Sequence, residues 1–299
     1  MISAVVTDDF MQTSRPTLTV RYAEDAQPDS ASLPVINSLW IGQLSPLEHL
    51  CLQSFTAQGH PFHLYTYEPI DNVPPGVTLQ DAAKILPASK IFRNQRGQGK
   101  GSLAAFSDLF RYKLLLERGG WWVDTDVFCL KPFDFSAPYV FGAEDKPVAS
   151  GIIKMPGGCT LARQCYESAR HVSPKKITWN ELVLILEHNV RELGLLPYVL
   201  PAENFSPIVW HEVPDFVRGE KIFVPSPRSY AVHLYNEMWR RNDLDKWGTY
   251  PSTSVLNVLR RYAGLEAEKP ITRPTVPMQT IPMRRPSLLS QVWPFRRAA

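Results

Sequence analysis

The sequence predicts an α/β fold, a sheet covered by helices, and three stretches carry that prediction. Residues 35–67 read as strand, capped helix and strand, the opening of a βαβ unit. Residues 103–128 read as a helix that turns through Gly119-Gly120 straight into an apolar strand. Residues 139–264 continue with short apolar runs between amphipathic segments.

Taken in order, residues 1–33 are polar with little periodicity and are expected to form a flexible arm. VINSLWIG (35–42) is a short apolar run typical of a buried strand. In Ser45-Pro46-Leu47-Glu48, Ser is a good N-cap, Pro fits the first helical position and Glu completes a capping box. A helix is therefore expected to about Gln58, stopped by Gly59. FHLYTY (62–67) reads as the second strand. Glu68 to Gly76 is proline-rich and turn-like, and DAAKIL (81–86) suits one short helix ended by Pro87. The glycine-rich RGQGKGS (96–102) invites a phosphate-cradling reading. It misses GxxxxGK[ST], because Gly101 stands where Ser or Thr should follow Lys100; the alternative is a mobile surface loop entering a helix.

Ser102 can cap a helix over 103–118. Leu103, Phe106, Phe110 and Leu114 form its apolar stripe, widened by Leu109 and Leu116. The strand that follows is expected to run through Asp124 and Asp126 to Phe128 and to close at Lys131-Pro132. YVFGAED (139–145), SGIIKM (150–155), KIFVP (221–225) and SYAVHLY (229–235) read as strands, residues 160–170, 178–193 and 254–264 as helices, and Leu200 to Pro207 as a loop. Residues 265–299 form a Pro/Arg-rich tail. Its basic, aromatic end suits peripheral contact with an anionic membrane face; a simple solvated tail is the alternative.

The 299 residues permit one large domain or two small ones, the 44% hydrophobic and 20% charged composition is that of a globular protein, and a net charge of +3 is too small to argue for nucleic acid as the main partner. Cys51, Cys129, Cys159 and Cys165 show no CxxC spacing. Neither a zinc site nor a disulfide framework is expected, and a reducing, cytoplasmic compartment fits. No leader peptide and no membrane span is expected.

The chemistry gathers at Asp124 and Asp126. On a strand, residues two apart share a face, so both acids should point one way with Trp122 and Phe128. Two adjacent carboxylates repel unless a cation joins them, and a hard divalent ion such as Mg²⁺ combines carboxylates with substrate phosphates. Asp108, Arg111 and Tyr112 share one face of the preceding helix. A solvated Asp–Arg pair is one reading; a buried polar face that meets ligand hydroxyls is the other.

SDLFRY, then GG, then WWVDTDV resembles the SDxxRY…GGxYxDxD signature of retaining glycosyltransferases with a DXD sugar-binding motif. That group includes glycosyltransferase family 32, with its α1,4-galactosyltransferases and mannosyltransferases, and the clostridial glucosylating toxins. NSLWIGQ (37–43), Ser150 to Met155 and HLYNEMW (233–239) are similar to further segments of the family, so the likeness spans roughly residues 35 to 262. It implies a GT-A fold, a Rossmann-like mixed sheet flanked by helices, over a single domain at residues 34–264. It also implies a nucleotide-sugar donor (UDP-sugar or GDP-sugar), Mn²⁺ or Mg²⁺, and a glycan, glycolipid or surface-polysaccharide acceptor. Residue by residue, Asp126 would ligate the metal and Asp124 would contact the metal or the sugar and ribose hydroxyls. Asp108 and Arg111 would hold the donor sugar. Trp40, flanked by Leu39 and Ile41, would stack on the base, with Tyr112 on the same nucleotide-sugar side. His233 would ligate metal or diphosphate, with Asn236 and Trp239 nearby. Two segments depart from the pattern: Trp121-Trp122-Val123 replaces the usual Ile/Val-Tyr, and TWNELVLILEH (178–188) stands where many relatives carry a Gly-Pro acceptor motif.

On the residues alone, Trp40 and His233 are also compatible with plain core positions. WVDTDV resembles the nucleophile loop of haloacid-dehalogenase-type phosphatases as well, but that loop normally follows the first strand, whereas here it comes third, and no convincing downstream acidic pair follows it. A non-catalytic carbohydrate- or partner-binding module, and a toxin-like transferase acting on protein, are the remaining alternatives.

Overall fold

A mixed sheet of seven strands frames the molecule, in the order β3-β2-β1-β4-β7-β6-β8. The computed structural model describes residues 33–265 apart from 98, 174, 176 and 178–180. The expected N-terminal arm and C-terminal tail thus lie outside the described residues, Leu33 and Leu265 aside.

The chain enters through β1 (Ile36–Leu39), α1 (Pro46–Ala57) and β2 (Phe62–Thr66) as the spacing predicts. The capping box of α1 is formed: Ser45 accepts from the Leu47 amide, and Glu48 accepts from the Ser45 amide at 2.9 Å. A strand the sequence reading missed, β3 (Val77–Asp81), pairs in parallel with β2 and leads into a short 3-10 turn at Ala82–Lys84. In the glycine-rich loop, the amides of Lys100, Gly101 and Ser102 donate to the Gly97, Asn94 and Gly99 carbonyls. Those three amides are taken and are not free to cradle a phosphate.

The central helix, α2 (Ala104–Arg118), starts one residue later than expected. Leu103 occupies the cap position, and the Ser102 hydroxyl accepts from Ala104 N–H at 3.1 Å. Gly119 then turns at φ +65°, where a Cβ would fall 2.2 Å from the Gly157 backbone nitrogen, so the close approach of the two chain segments demands glycine. β4 (Gly120–Val123) pairs in parallel with β1 on the side away from β2. The connections therefore run outward one way through β2 and β3 and return on the other side at β4. β1 and β4 flank a topological switch point, where parallel sheets open a crevice beyond their carboxyl ends. Trp40 and Asp124 are the first residues past those two ends.

The strand does not continue through the acids. It stops at Val123, Asp124 to Asp126 form a turn, and β5 (Val127–Cys129) starts a separate two-stranded ribbon. Phe128 accordingly packs in a different core from Trp122. β6 (Val140–Gly142) and β7 (Ala149–Met155) extend the main sheet, β7 antiparallel to both β4 and β6. α3 (Thr160–Arg170) and α4 (Glu181–Glu192) cover one face. The expected loop at 200–207 instead holds the end of β8 (Val199–Leu200), parallel to β6, and α5 (Ala202–Phe205). α6 (Val213–Arg218) follows, and KIFVP forms no strand: Ile222 and Val224 are exposed and only Phe223 packs inward. β9 (Ala231–His233) pairs antiparallel with β5, setting His233 opposite Val127. α7 (Asn236–Arg241) and α8 (Val255–Tyr262) complete the described chain.

Consecutive tryptophans mark the two faces of the sheet. Trp122 packs with Phe106, Phe110 and Leu161 under α2 and α3; Trp121 packs with Phe55, Phe133 and Phe205 on the opposite side. Both are fully buried, and a side chain of that size contributes on the order of 2–3 kcal/mol by burial. A third core joins α1, the β5–β9 ribbon and the last helices through Leu47, Phe128, Val232 and Trp239. The α/β class with a mixed, helix-flanked sheet is what the sequence predicts. All four cysteines are free, and no described helix is long and apolar enough to cross a membrane.

Candidate active site

The turn at Asp124–Asp126 is where four elements meet: α2, the β4 end, β7 and the β9–α7 junction. Asp124 is tied down first. Its amide donates to Gly151 of β7 at 2.8 Å, and its Oδ1 accepts from Arg111 at 2.6 Å and from the Trp122 indole at 2.8 Å. Arg111 reaches back to Asp108 on its own helix at 2.6 Å and lies 4.9 Å over the Trp122 ring. Asp108 and Arg111 are 6% and 2% exposed, so the solvated-pair reading falls away. Burial raises the Asp108 carboxyl, with Arg111 opposing it.

Asp126 is held from the other side. Its Oδ2 accepts from the Asn236 amide at 2.5 Å, its carbonyl accepts from the Leu234 amide at 2.9 Å, and its Oδ1 lies 3.3 Å from His233 Nε2. The opposite ring nitrogen of His233 lies 3.0 Å from Glu144, in the turn after β6. Tyr235 stacks on the same ring at 3.9 Å between centroids.

Electrostatics separate the two acids. Burial and then the Asp126 charge push Asp124 up to about 6, against the pull of Arg111. Burial also acts to raise Asp126, but the His233 charge and bonds outweigh it and hold the carboxyl below its ordinary value. For His233 burial acts downward, yet Asp126 and then Glu144 lift it to about 10.

Asp124, Asp126 and His233 each offer one ligand atom, all within 4.8 Å of one another. The donor set fits a divalent cation on three grounds. Oxygen with one imidazole nitrogen suits Mg²⁺ or Mn²⁺. Asp108, Asp124, Asp126 and Glu144 outnumber Arg111 and His233, leaving negative charge for a cation to offset. Gly151 leaves the space free: a Cβ there would stand 3.0 Å from His233 Cε1 and 3.5 Å from Asp124 Oδ2. Beside this set, Arg111 Nε and Asn236 Oδ1 are buried without a hydrogen-bond partner among the described residues, as befits groups that meet a polar ligand.

The remaining expected contacts divide. Trp40 is half-buried, donates its indole N–H to the Gln43 carbonyl at 3.1 Å, and has the Lys246 ammonium 5.6 Å from its ring. Lys246 pairs with buried Glu48 at 2.5 Å, and its charge also lowers Asp126. Ile41 is partly buried against the α2-side core. Leu39, Tyr112 and Trp239 lie in the core. Leu39 is 7% exposed, the Tyr112 hydroxyl donates to the Leu182 carbonyl, and the Trp239 indole donates to the Leu234 carbonyl. Sequence reasoning missed Glu144, Gly151, Tyr235 and Lys246. Only Gly151 carried a signal, a lone glycine inside an apolar strand, which marks a close approach.

Residues 69–144 match the family model described as "Glycosyltransferase sugar-binding region containing DXD motif". No curated protein matches the chain. Among solved structures, "PaToxG Glycosyltransferase" is similar at 12% identity and a TM-score of 0.41 over 54% of this chain and 68% of its own. A mutant transferase is similar at 10% identity and a TM-score of 0.37 over 55% of this chain and 86% of its own.

Proposed function

Starting from a chain that carries the sugar-binding region of the DXD glycosyltransferases, and so is a glycosyltransferase, we propose a metal-dependent, retaining enzyme. It moves a sugar from a nucleotide-sugar donor, a UDP-sugar ahead of a GDP-sugar, to a hydroxyl of a glycan, glycolipid or surface polysaccharide. The observation that carries this reading is the convergence of Asp124, Asp126 and His233 next to the buried Asp108–Arg111 pair.

Asp126, Asp124 and His233 would hold Mn²⁺ or Mg²⁺, which supplies Lewis-acid neutralisation of the charge that develops on the leaving diphosphate. The chain's own residues do the positioning. Arg111 bridges Asp108 and Asp124, fixing both carboxylates, and the lone pairs left over can accept sugar hydroxyls. Trp40, half-buried just past the end of β1, would stack on the base; the Lys246 ammonium lies 5.6 Å from its ring, and its charge also lowers Asp126. Burial of Asp108 and Asp126, with Asp124 half-buried between them and Arg111, limits water at the site and would strengthen these fixed charges as the sugar–phosphate bond breaks. Retention implies that the acceptor hydroxyl attacks from the face the diphosphate leaves, as in the family this chain resembles. A cytoplasmic location, with the basic tail against the inner membrane face, completes the proposal.

The test is release of UDP or GDP from nucleotide sugars, with and without Mn²⁺ and a chelator. Release that depends on Mn²⁺ and is lost in Asp124→Asn and Asp126→Asn supports the transferase. Release of inorganic phosphate from monoesters would instead support the phosphatase reading, and neither activity would leave a binding module. Thermal stabilisation by UDP, GDP or CDP with Mn²⁺ identifies the base, since a ligand of the native state raises its stability by mass action.

A further inference from the structure

The geometry points to Glu144 as a positioning residue that presents His233 to the divalent cation; we infer this on top of the metal reading above. His233 faces a carboxylate at each nitrogen: Glu144 Oε1 at 3.0 Å from Nδ1 and Asp126 Oδ1 at 3.3 Å from Nε2. An ionised carboxylate only accepts, so the Nδ1–Glu144 contact places a proton on Nδ1. With the cation present, Nε2 then carries the lone pair, on the side of the ring where Asp126 Oδ1 lies 3.3 Å away, and can share a cation with it. Carboxylate, imidazole and metal in that sequence is a general way to fix the tautomer and the ring angle of a ligand histidine.

The surroundings make Glu144 specific to this task. It lies on the far side of the imidazole from Asp126 and outside the group of atoms that converge on the cation position. Its backbone is fixed, the Glu144 amide donating to the Lys146 carbonyl at 2.9 Å. The ring is clamped on its flat face by Tyr235, tilted only 23° from it. Tyr235 stands at φ +48°, a left-handed region that side-chain-bearing residues rarely adopt. That strain is retained where the phenol both covers His233 and bonds Glu144 and Ser206. Gly151 sits against the Cε1 edge, so the ring is bounded on several sides and Glu144 sets its remaining freedom, rotation about the ring.

The experiment titrates Mn²⁺ alone into the full chain and follows free Mn²⁺ by electron paramagnetic resonance, comparing wild type, Glu144→Ala and Glu144→Gln. Circular dichroism and melting of the metal-free proteins establish that each is folded. Glu144→Ala is expected to bind Mn²⁺ about 10- to 100-fold more weakly. Glu144→Gln, whose carbonyl still accepts from Nδ1, is expected to retain most of the affinity. In the Mg²⁺-loaded wild type, ¹⁵N spectra of His233 should show the proton on Nδ1. Wild type and Glu144→Ala binding Mn²⁺ equally would overturn the positioning role and leave the metal reading standing. A Gln variant as weak as Ala, or a proton found on Nε2, would also overturn the role. Wild type that binds no Mn²⁺ would overturn both.

Discussion

Two buried histidines, His60 and His233, differ in one respect that separates structure from chemistry. Each is nearly inaccessible, at 2% and 8% exposure, and each has both ring nitrogens engaged. His60 has main-chain partners: Nδ1 lies 2.9 Å from the Pro34 carbonyl, and Nε2 accepts from the Phe133 amide at 2.8 Å. One donor and one acceptor suit a neutral imidazole, and burial lowers its pKa. His233 has two carboxylates for partners, and burial is overruled. A histidine between backbone dipoles seals a core. A histidine between carboxylates that also adjoin a third acid belongs to a site that collects charge. Nothing in Gly59-His60-Pro61 or Val232-His233-Leu234 announces that difference.

The largest expected effect tests whether the site's charges are held as ions. Arg111→Met leaves the buried Asp108 and the half-buried Asp124 without their cation, and removing one partner of a buried pair such as Asp108–Arg111 costs about 3–5 kcal/mol. Chemical denaturation measures it. A loss under about 1 kcal/mol would mean the acids around Arg111 are neutral and the contrast with His60 is weaker than drawn.

Next come the histidines themselves. His233→Ala, and likewise Asp126→Asn, should cut turnover by about 100-fold or more while the chain stays folded, because each withdraws a metal ligand. His60→Ala should do the reverse. It leaves the Phe133 amide and the Pro34 carbonyl unpaired in the core, at about 1–3 kcal/mol of stability, with Mn²⁺ affinity unchanged. Equal losses of metal affinity in the two histidine variants would erase the distinction.

Legibility in the sequence follows the same division between local and distant causes. Ser45-Pro46-Glu48 announced α1 because a capping box is complete within four residues. Asp108 and Arg111 were legible as a pair because helical spacing alone brings them together. β3 was not, since its mostly half-exposed residues have no strong alternation and owe their extension to pairing with β2. KIFVP failed in the opposite sense: its composition favours a strand, but no neighbour offers it a ladder. The meeting of Glu144, Gly151 and His233 depends on β6–β7, β4–β7 and β5–β9 pairings, which no window of sequence contains. The acids' turn shows a middle case. The DXD spacing was visible, while the break of the strand at Val123 and the bonds to Asn236 and Arg111 come from elsewhere in the fold.

A smaller effect sharpens the geometry around His233. Gly151→Ala adds a methyl 3.0 Å from Cε1, in a strand whose backbone there accepts any residue. The imidazole must move by a few tenths of an ångström, so Mn²⁺ affinity should fall. The melting temperature should drop modestly, in keeping with an overpacking cost of about 1–3 kcal/mol. Unchanged affinity in a folded Gly151→Ala protein would place the cation away from this edge of the ring.

The smallest effect concerns His60 and pH. Its folded pKa lies below the ordinary 6.5, so the unfolded chain binds the extra proton first as pH falls. Stability attributable to His60 is present above pH 6.5 and is lost as pH drops from there toward the folded pKa, by at most about 1.4 kcal/mol per pH unit for one group. The structural reason is explicit: protonating Nε2 would set two N–H donors, the ring's and that of Phe133, against each other. Melting curves between pH 7 and 5 read this out when wild type is compared with His60→Gln, which cannot take up the proton. The variant's profile should be flatter over that range, whatever its absolute stability. Parallel profiles would show that His60 is not the group that titrates, and that its backbone partners do not hold it neutral.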